Sequence, residues 1–454
     1  MEDTRKTTLF ERTPITKAVI TLAVPTIISS LVMVIYNLAD TFFVGMLNDP
    51  VQNAAVTLAA PLLLAFNAVN NLFGVGSASM MSRGLGRKDM DTVYQSSAFG
   101  FYCSVACGIL FSILFTLIKT PLLRTLGANA DTSAATASYL MWTVSCGATP
   151  AILNVVMAHM VRAEGSTLHA SIGTISGCLL NMILDPLFIM PWGLNMGAAG
   201  AGLATFLANC AACIYFFVLL YIKRGRTCVC IRPSLLKFKK EIITGVCGVG
   251  IPASIQNILN VTGMTVLNNF TSAYGADAVA AMGIVQKINM VPLYIAMGLS
   301  QGIMPLVSYN FASGNIRRMK DTITFAMKIT ISFMVMTSVI FYFGAGTLTA
   351  LFMENETIIA YGTRFLHGLC LALPFLCVDF LAVGVFQACG MGKNALVFSI
   401  LRKIVLEIPA LFLWNHFYPL YGLAYAQVTA EVILAGVAVV VLVRLFRGLE
   451  RNPK

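Results

Sequence analysis

Long apolar runs separated by short polar breaks dominate the chain. They span residues 14–45, 53–82, 93–118, 133–160, 168–190, 197–222, 239–272, 277–308, 320–345, 356–388, 395–415 and 420–443. Each meets the ~20 residues that an α-helix needs to cross a bilayer, and several are long enough to tilt or to continue past the hydrocarbon. The pattern predicts an all-α integral membrane protein of twelve transmembrane helices. Prolines inside the runs, among them Pro25, Pro61, Pro150, Pro252, Pro305 and Pro409, are compatible with this, because neighbouring helices re-satisfy the freed backbone groups.

The runs divide into two sets of six at the basic connection 223–240. The halves resemble one another: Ala23-Val24-Pro25 matches Gly250-Ile251-Pro252, Gly84-Leu85-Gly86-Arg87-Lys88 matches Ala312-Ser313-Gly314-Asn315-Ile316, Arg162-Ala163-Glu164-Gly165 matches Gln387-Ala388-Cys389-Gly390, and Gly202-Leu203-Ala204 matches Gly422-Leu423-Ala424. Because each half holds an even number of spans, the copies share one orientation and are expected to be related by a pseudo-two-fold axis along the membrane normal, as in several secondary transporters. The expected organisation is a cytoplasmic segment 1–12, a first lobe 13–222, the linker 223–240, a second lobe 241–443 and a tail 444–454, with a substrate cavity between the lobes.

Composition agrees with a membrane solvent. Of 454 residues 58% are hydrophobic and only 11% charged, against roughly 25% charged in soluble domains. The net charge of +11 sits in short clusters between the runs, so it points to cytoplasmic loops and not to nucleic acid. Arg83, Arg87, Lys88, Arg162, the basic residues of 223–240, Arg317, Arg318, Lys320, Lys393, Arg444 and Arg447 fall on one side, with little beyond Lys119, Arg124 and Arg364 on the other. This bias places both termini in the cytoplasm of a multi-pass protein of the cell (inner) membrane. The polar stretch Met1–Arg12 is unlike a cleavable signal peptide.

The 12 cysteines lie mostly inside apolar runs and read as small buried hydrophobes. Cys228 and Cys230 lack the second pair that a zinc site needs, so no metal is assigned. Walker A, HExxH and GxSxG motifs are absent, which leaves ATP, zinc or serine hydrolysis unsupported and favours a protein that is not an enzyme. His159 and His169 fit proton-linked gating or plain packing.

Candidate chemistry lies in the polar residues that the runs carry. Asn181 and Asp185 share one face of the fifth run, and Pro186 removes the amide hydrogen that would bond the Met182 carbonyl. Tyr36, Asn37 and Asp40 share a face of the first, and Asn37 is placed to orient the Asp40 carboxylate. Tyr139 and Thr205 offer further oxygens. If Asp40 and Asp185 converge, the two charges cannot both stay ionised and unpaired in low dielectric, so a bound proton or sodium ion is expected. The second half carries Asp379, with Gln256 and Asn260 at helical spacing in the seventh run, Lys287, Glu407 four residues after Lys403, and Glu431 without an evident local partner. Pairing of Lys403 with Glu407, and of Lys287 with Asp379, would neutralise charge internally. Met and aromatic residues, 23 Met and 29 Phe among them, suit a cavity for flat apolar cations, although most must pack or face lipid.

The chain resembles the multidrug and toxic compound extrusion (MATE) transporters, in their DinF- and MepA-like bacterial and archaeal branch. The resemblance rests on Val24-Pro25, Asn37-Leu38-Ala39-Asp40, Gly84-Leu85-Gly86, Arg162-Ala163-Glu164-Gly165 and Asn181-Met182-Ile183-Leu184-Asp185-Pro186, and covers essentially the whole chain. It implies two six-helix lobes, and export of organic cations or drugs driven by a proton or sodium gradient, with no other cofactor and a single copy sufficing. It also implies a first-lobe site at the positions of Asp40, Tyr139, Asn181, Asp185 and Thr205, with Tyr36, Asn37 and the Pro25 bend in support. Some members use a second-lobe cation site with a glutamate in the seventh span and an aspartate in the tenth, the latter at the position of Asp379. Here Gln256 stands among the polar residues of the seventh span, which moves the expected site to the first lobe. Rival readings are a flippase of a lipid-linked saccharide, which would use Lys287, Arg402 and Lys403; a prenyl transferase, whose aspartate-rich motifs are missing; and a gradient-independent channel.

Overall fold

Backbone amides and carbonyls have no water partner in hydrocarbon, so the apolar runs are satisfied only by bonding within themselves. The computed structural model describes residues 8–47, 49–353 and 355–451, and among these there is no β-strand. The first seven residues of the expected N-terminal segment and the last three of the expected tail lie outside the described residues.

The helices are α1 Ile15–Gly45, α2 Pro50–Gly86, α3 Met90–Thr125, α4 Ala130–Cys146, α5 Ala148–Ala163, α6 Thr167–Ile189, α7 Ala198–Ile222, α8 Lys240–Ser272, α9 Ala276–Ala312, α10 Ile316–Ala350, α11 Glu356–Cys370, α12 Leu373–Ala388, α13 over 392–417 and α14 Gly422–Arg451. Two spans are broken: α4 meets α5 at 51° and α11 meets α12 at 49°. Counting each bent pair once, eleven spans among the described residues are long and apolar enough to cross a membrane. The twelfth, α13, is the span that carries Arg402, Lys403 and Glu407. All twelve expected runs are therefore helical, at close to the expected bounds.

Side-chain caps set several helix starts. Asp49 accepts from the Val51 amide at 2.8 Å before α2, Asn129 and Thr132 form a reciprocal box before α4, and Asn355 accepts from the Thr357 and Ile358 amides before α11. Asp89 before α3 accepts from the Thr92 hydroxyl at 2.6 Å and its amide at 3.1 Å. These bonds hold the Asp89 carboxyl below the usual carboxylate range. The cap is thus complete at neutral pH and is lost on acidification through that lowered value.

Contacts group the described residues into two compact units, one of Ile28–Ser254 and the other of Phe10–Ile27 with the residues from Ile255 onward. The units repeat the same plan. In each the fourth span is the broken one, and it ends in a left-handed glycine, Gly165 (φ 86°) and Gly390 (φ 77°). The turn after the second span also recurs, with a positive φ at Lys88 and Gly314 and a capping Asp89 and Asn315. That pairing shifts the expected match of this turn by two residues, because cap geometry and not letter similarity decides it. The expected match of Gly202 with Gly422 shifts by two residues as well, since it is Gly200 that shares the packing of Gly422: a Cβ on either would fall 2.5 or 2.4 Å from a carbonyl near the end of the preceding helix, Phe188 or Trp414.

The units differ in where the helices widen. In the first, π-turns occupy Asn71–Val75 and Met141–Cys146; in the second, Leu401–Glu407. Such turns free carbonyls that neighbours must satisfy. Ser112 of α3 does this for Val144 at 3.1 Å.

Candidate functional site

In the first unit α6 and α7 pack closely because small residues face each other: a Cβ on Gly177 would meet Ala212 at 3.3 Å, and one on Gly173 would strike the Phe216 ring at 2.4 Å. That approach brings Asn181 of α6 to Thr205 of α7, 3.1 Å apart. The Asn181 amide is satisfied at both ends when its nitrogen faces Asp185, donating to the two carboxylate oxygens at 2.7 and 3.3 Å. Its oxygen then accepts from the Thr205 amide at 3.0 Å and hydroxyl at 3.1 Å. Asn181 (2% exposed) and Asp185 (0%) are both buried.

Tyr139 stands at the end of the regular part of α4, just before its π-turn, and is 4% exposed. Gly202 of α7 lets the chains approach here, since a Cβ would lie 2.9 Å from the Tyr139 carbonyl. From α1, Tyr36 and Asp40 complete the group. The Tyr36 phenol is within electrostatic reach of Asp40, Tyr139 and Asp185, and the Tyr139 phenol and the Asp185 carboxyl are each within reach of Asp40. Among the described residues no cationic side chain acts on any of the four. Two carboxyl groups, one amide, one hydroxyl and two phenols therefore share a membrane interior with no built-in counter-charge.

Two expected supports lie elsewhere. Asn37 is exposed, and among the described residues no hydrogen bond joins its side chain to Asp40. Pro25 sits in the portion of α1 that belongs to the second unit, inside a continuous helix. Two asparagines that the sequence reading passed over extend the polar track: Asn209, one turn beyond Thr205, accepts from Asn154 of α5 at 3.0 Å. A threonine and an asparagine four apart in an apolar run were the available signal. His159 packs over Gly74, and His169 meets the Tyr215 hydroxyl at 3.3 Å.

The second unit arranges its charges differently. Arg402 of α13 pairs with Glu431 of α14 at 2.8 Å and with Asp379 of α12 at 3.5 Å. Lys403 pairs with Glu407 at 2.6 Å, as expected of that spacing. Lys287 is exposed, so the partner of Asp379 is Arg402 and not Lys287; Glu431 likewise has a partner that its own helix does not supply. Gln256 accepts from Gln387 at 3.1 Å, and Asn260 is half-buried. The seventh-span polar residues thus bring no acid to Asp379.

Two six-span units of shared plan, with an uncompensated acidic pair in the first, define a duplicated polytopic membrane protein. The MatE family model matches the chain twice, over residues 25–187 and 252–413. The chain is 33% identical over 440 residues to the multidrug export protein MepA of Staphylococcus aureus (strain MRSA252), covering 96% of this chain and 95% of that one. It is 31% identical over 439 residues to MepA of Staphylococcus saprophyticus, with the same coverage. The chain belongs to the MatE family. Among solved structures, an outward-facing multidrug resistance MATE family transporter of the MOP superfamily superimposes with a TM-score of 0.93 at 24% identity, covering 99% of each chain. A MOP superfamily transporter from Pyrococcus furiosus, whose reverse-polarity pocket suggested a different function for it, gives 0.90 at 23% over 99% of each chain.

Proposed function

We propose that this protein is a secondary active multidrug exporter of the cell (inner) membrane that expels organic, cationic amphipathic compounds in exchange for H⁺ or Na⁺. The observation that carries the reading is the gathering of Asp40 and Asp185 with Asn181, Thr205, Tyr36 and Tyr139, with no cationic residue beside them. Two carboxyl groups so placed take up a monovalent cation, since their charges repel and the interior does not screen them. Asn181 fixes Asp185 and Thr205 relative to each other, and the phenols supply neutral oxygens. The kinship with MepA supports drug-like substrates. The ion drives export because it binds one conformation more tightly than the other, and so shifts the population that holds substrate. Both termini are cytoplasmic, by the basic loops, and one copy suffices.

Cells expressing the chain should accumulate less ethidium than control cells, and collapsing the proton and sodium gradients together should abolish the difference. Efflux that persists after the collapse would overturn the secondary-active reading. A flippase is disfavoured because two of the three basic residues that would serve it, Arg402 and Lys403, are engaged by carboxylates.

A further inference from the structure

The linker 223–240 carries seven basic residues and no acid. Its backbone is tied to the first unit: Thr227 and the Cys228 amide donate to Glu164, the Cys230 amide donates to Ser97, and Tyr102 donates to the Ile231 carbonyl. Its apolar side chains turn inward. Cys228 and Val229 are buried in the core of that unit, and Ile231 and Leu236 pack against it. The basic side chains are thereby left outside, and Arg224, Arg232, Lys237, Lys239 and Lys240 are all exposed. Among the described residues no hydrogen bond or ion pair engages these five side chains. Glu241, the first acid after the linker, is exposed and pairs with none of them. Five cations therefore stand on a held segment without a counter-charge from the protein.

A second observation sets the depth of this segment in the membrane. Helix α7 ends at Ile222 and α8 begins at Lys240, so the linker joins two spans on one side of the bilayer. At one end Tyr221 is 77% exposed and Ile222 73%; at the other Phe238 is 67% exposed, with its ring edge against buried Phe99 at 5.8 Å. Aromatic side chains exposed at the ends of spans settle at the level of the lipid headgroups. The neighbouring cations share that level, within the ~10 Å over which their field acts on lipid phosphates.

We propose that the linker is a binding surface for acidic phospholipid headgroups of the leaflet on its own side of the membrane, cytoplasmic in the orientation proposed above. Arg224 and Arg232 offer paired donors to a phosphate, the three lysines act as point charges, and Tyr221 and Phe238 seat at the boundary of headgroups and acyl chains. Anionic lipid is the occupant because exposed aromatic residues flank the cations and the headgroups already lie beside them. The ties to Glu164, Ser97 and Tyr102 keep the cations in place, so little freedom is lost when lipid binds. Nothing in this depends on what the protein exports.

The test is native mass spectrometry of the purified full-length protein, titrated in detergent with dioleoylphosphatidylglycerol or dioleoylphosphatidylcholine. The wild type should bind phosphatidylglycerol about tenfold or more tightly than phosphatidylcholine, since each Lys or Arg at an anionic surface strengthens binding about fivefold. R224Q/R232Q/K237Q/K239Q/K240Q should bring the two lipids to within about twofold of each other. K119Q/R124Q, which removes two exposed cations elsewhere, should keep the wild-type preference. The milder K237Q/K239Q decides the matter if the five-site variant does not fold, with a loss of about fivefold or more. A preference kept by the linker variants would overturn the proposal, whether the cations then serve a soluble acidic partner or only orient the chain. An equal loss in K119Q/R124Q would overturn it too. Transport is not read, so a failure of the exporter reading would leave this result standing.

Discussion

Asn181 is the residue on which the first-unit site turns, because it donates to Asp185 and accepts from Thr205 at once. Truncating it leaves a buried carboxyl group without its donor, at a cost of about 1–3 kcal/mol. Asn181→Ala should therefore shift the half-saturating concentration of the coupling ion by about tenfold, while the protein still reaches the membrane. An unchanged ion dependence in reconstituted vesicles would show that the bond to Asp185 is incidental. The Asn181–Asp185 pair was legible from its spacing in an apolar run, and Thr205 and Tyr139 from the family resemblance. The partnership of Arg402 with Asp379 and Glu431 was not. It joins three helices, whereas spacing along one helix reports only neighbours three and four apart. Parity was the clue: two acids without local partners and one arginine in adjacent runs.

At the scale of elements, glycines set how closely the helices approach. A Cβ on Gly202 would meet the Tyr139 carbonyl at 2.9 Å, and one on Gly250 would fall 1.9 Å from the Leu72 carbonyl. Backbone cannot yield as a side-chain tip does. Gly250→Ala should destabilise the protein strongly, by at least the about 1–3 kcal/mol typical of overpacking, and lower its thermal midpoint in detergent. Gly202→Ala should cost less in stability and more in transport, since it moves Tyr139. Equal midpoints for wild type and Gly250→Ala would contradict the described approach. Hydropathy located the twelve helices, because length and apolarity are what a bilayer demands. It did not locate the bends of 51° and 49° or the π-turns, because none of them ends a run. Gly147 and Pro150 near one break, and Pro374 near the other, mark them only in hindsight.

At the scale of the whole molecule, the duplicated family match and the recurring turns show one plan used twice, with the chemistry divided unequally between the copies. The basic linker is itself held in place. Buried Glu164 accepts from the Thr227 hydroxyl at 2.9 Å and the Cys228 amide at 2.7 Å, while Ser97 and Tyr102 of α3 bond the backbone of Cys230 and Ile231. Bonds to a charged acceptor contribute about 1.5–3 kcal/mol each. Glu164→Ala should therefore speed tryptic cleavage within 223–240 by about tenfold or more, through easier local opening; an unchanged cleavage rate would mean that the linker is held by other contacts. The central claim concerns the acidic pair of the first unit, and reconstituted vesicles test it most directly. With a proton gradient or a sodium gradient imposed one at a time, the wild-type protein should drive uptake of a cationic dye under at least one of them. Asp40→Asn and Asp185→Asn should drive none under either. Gradient-driven uptake at the wild-type rate by either variant would contradict the account.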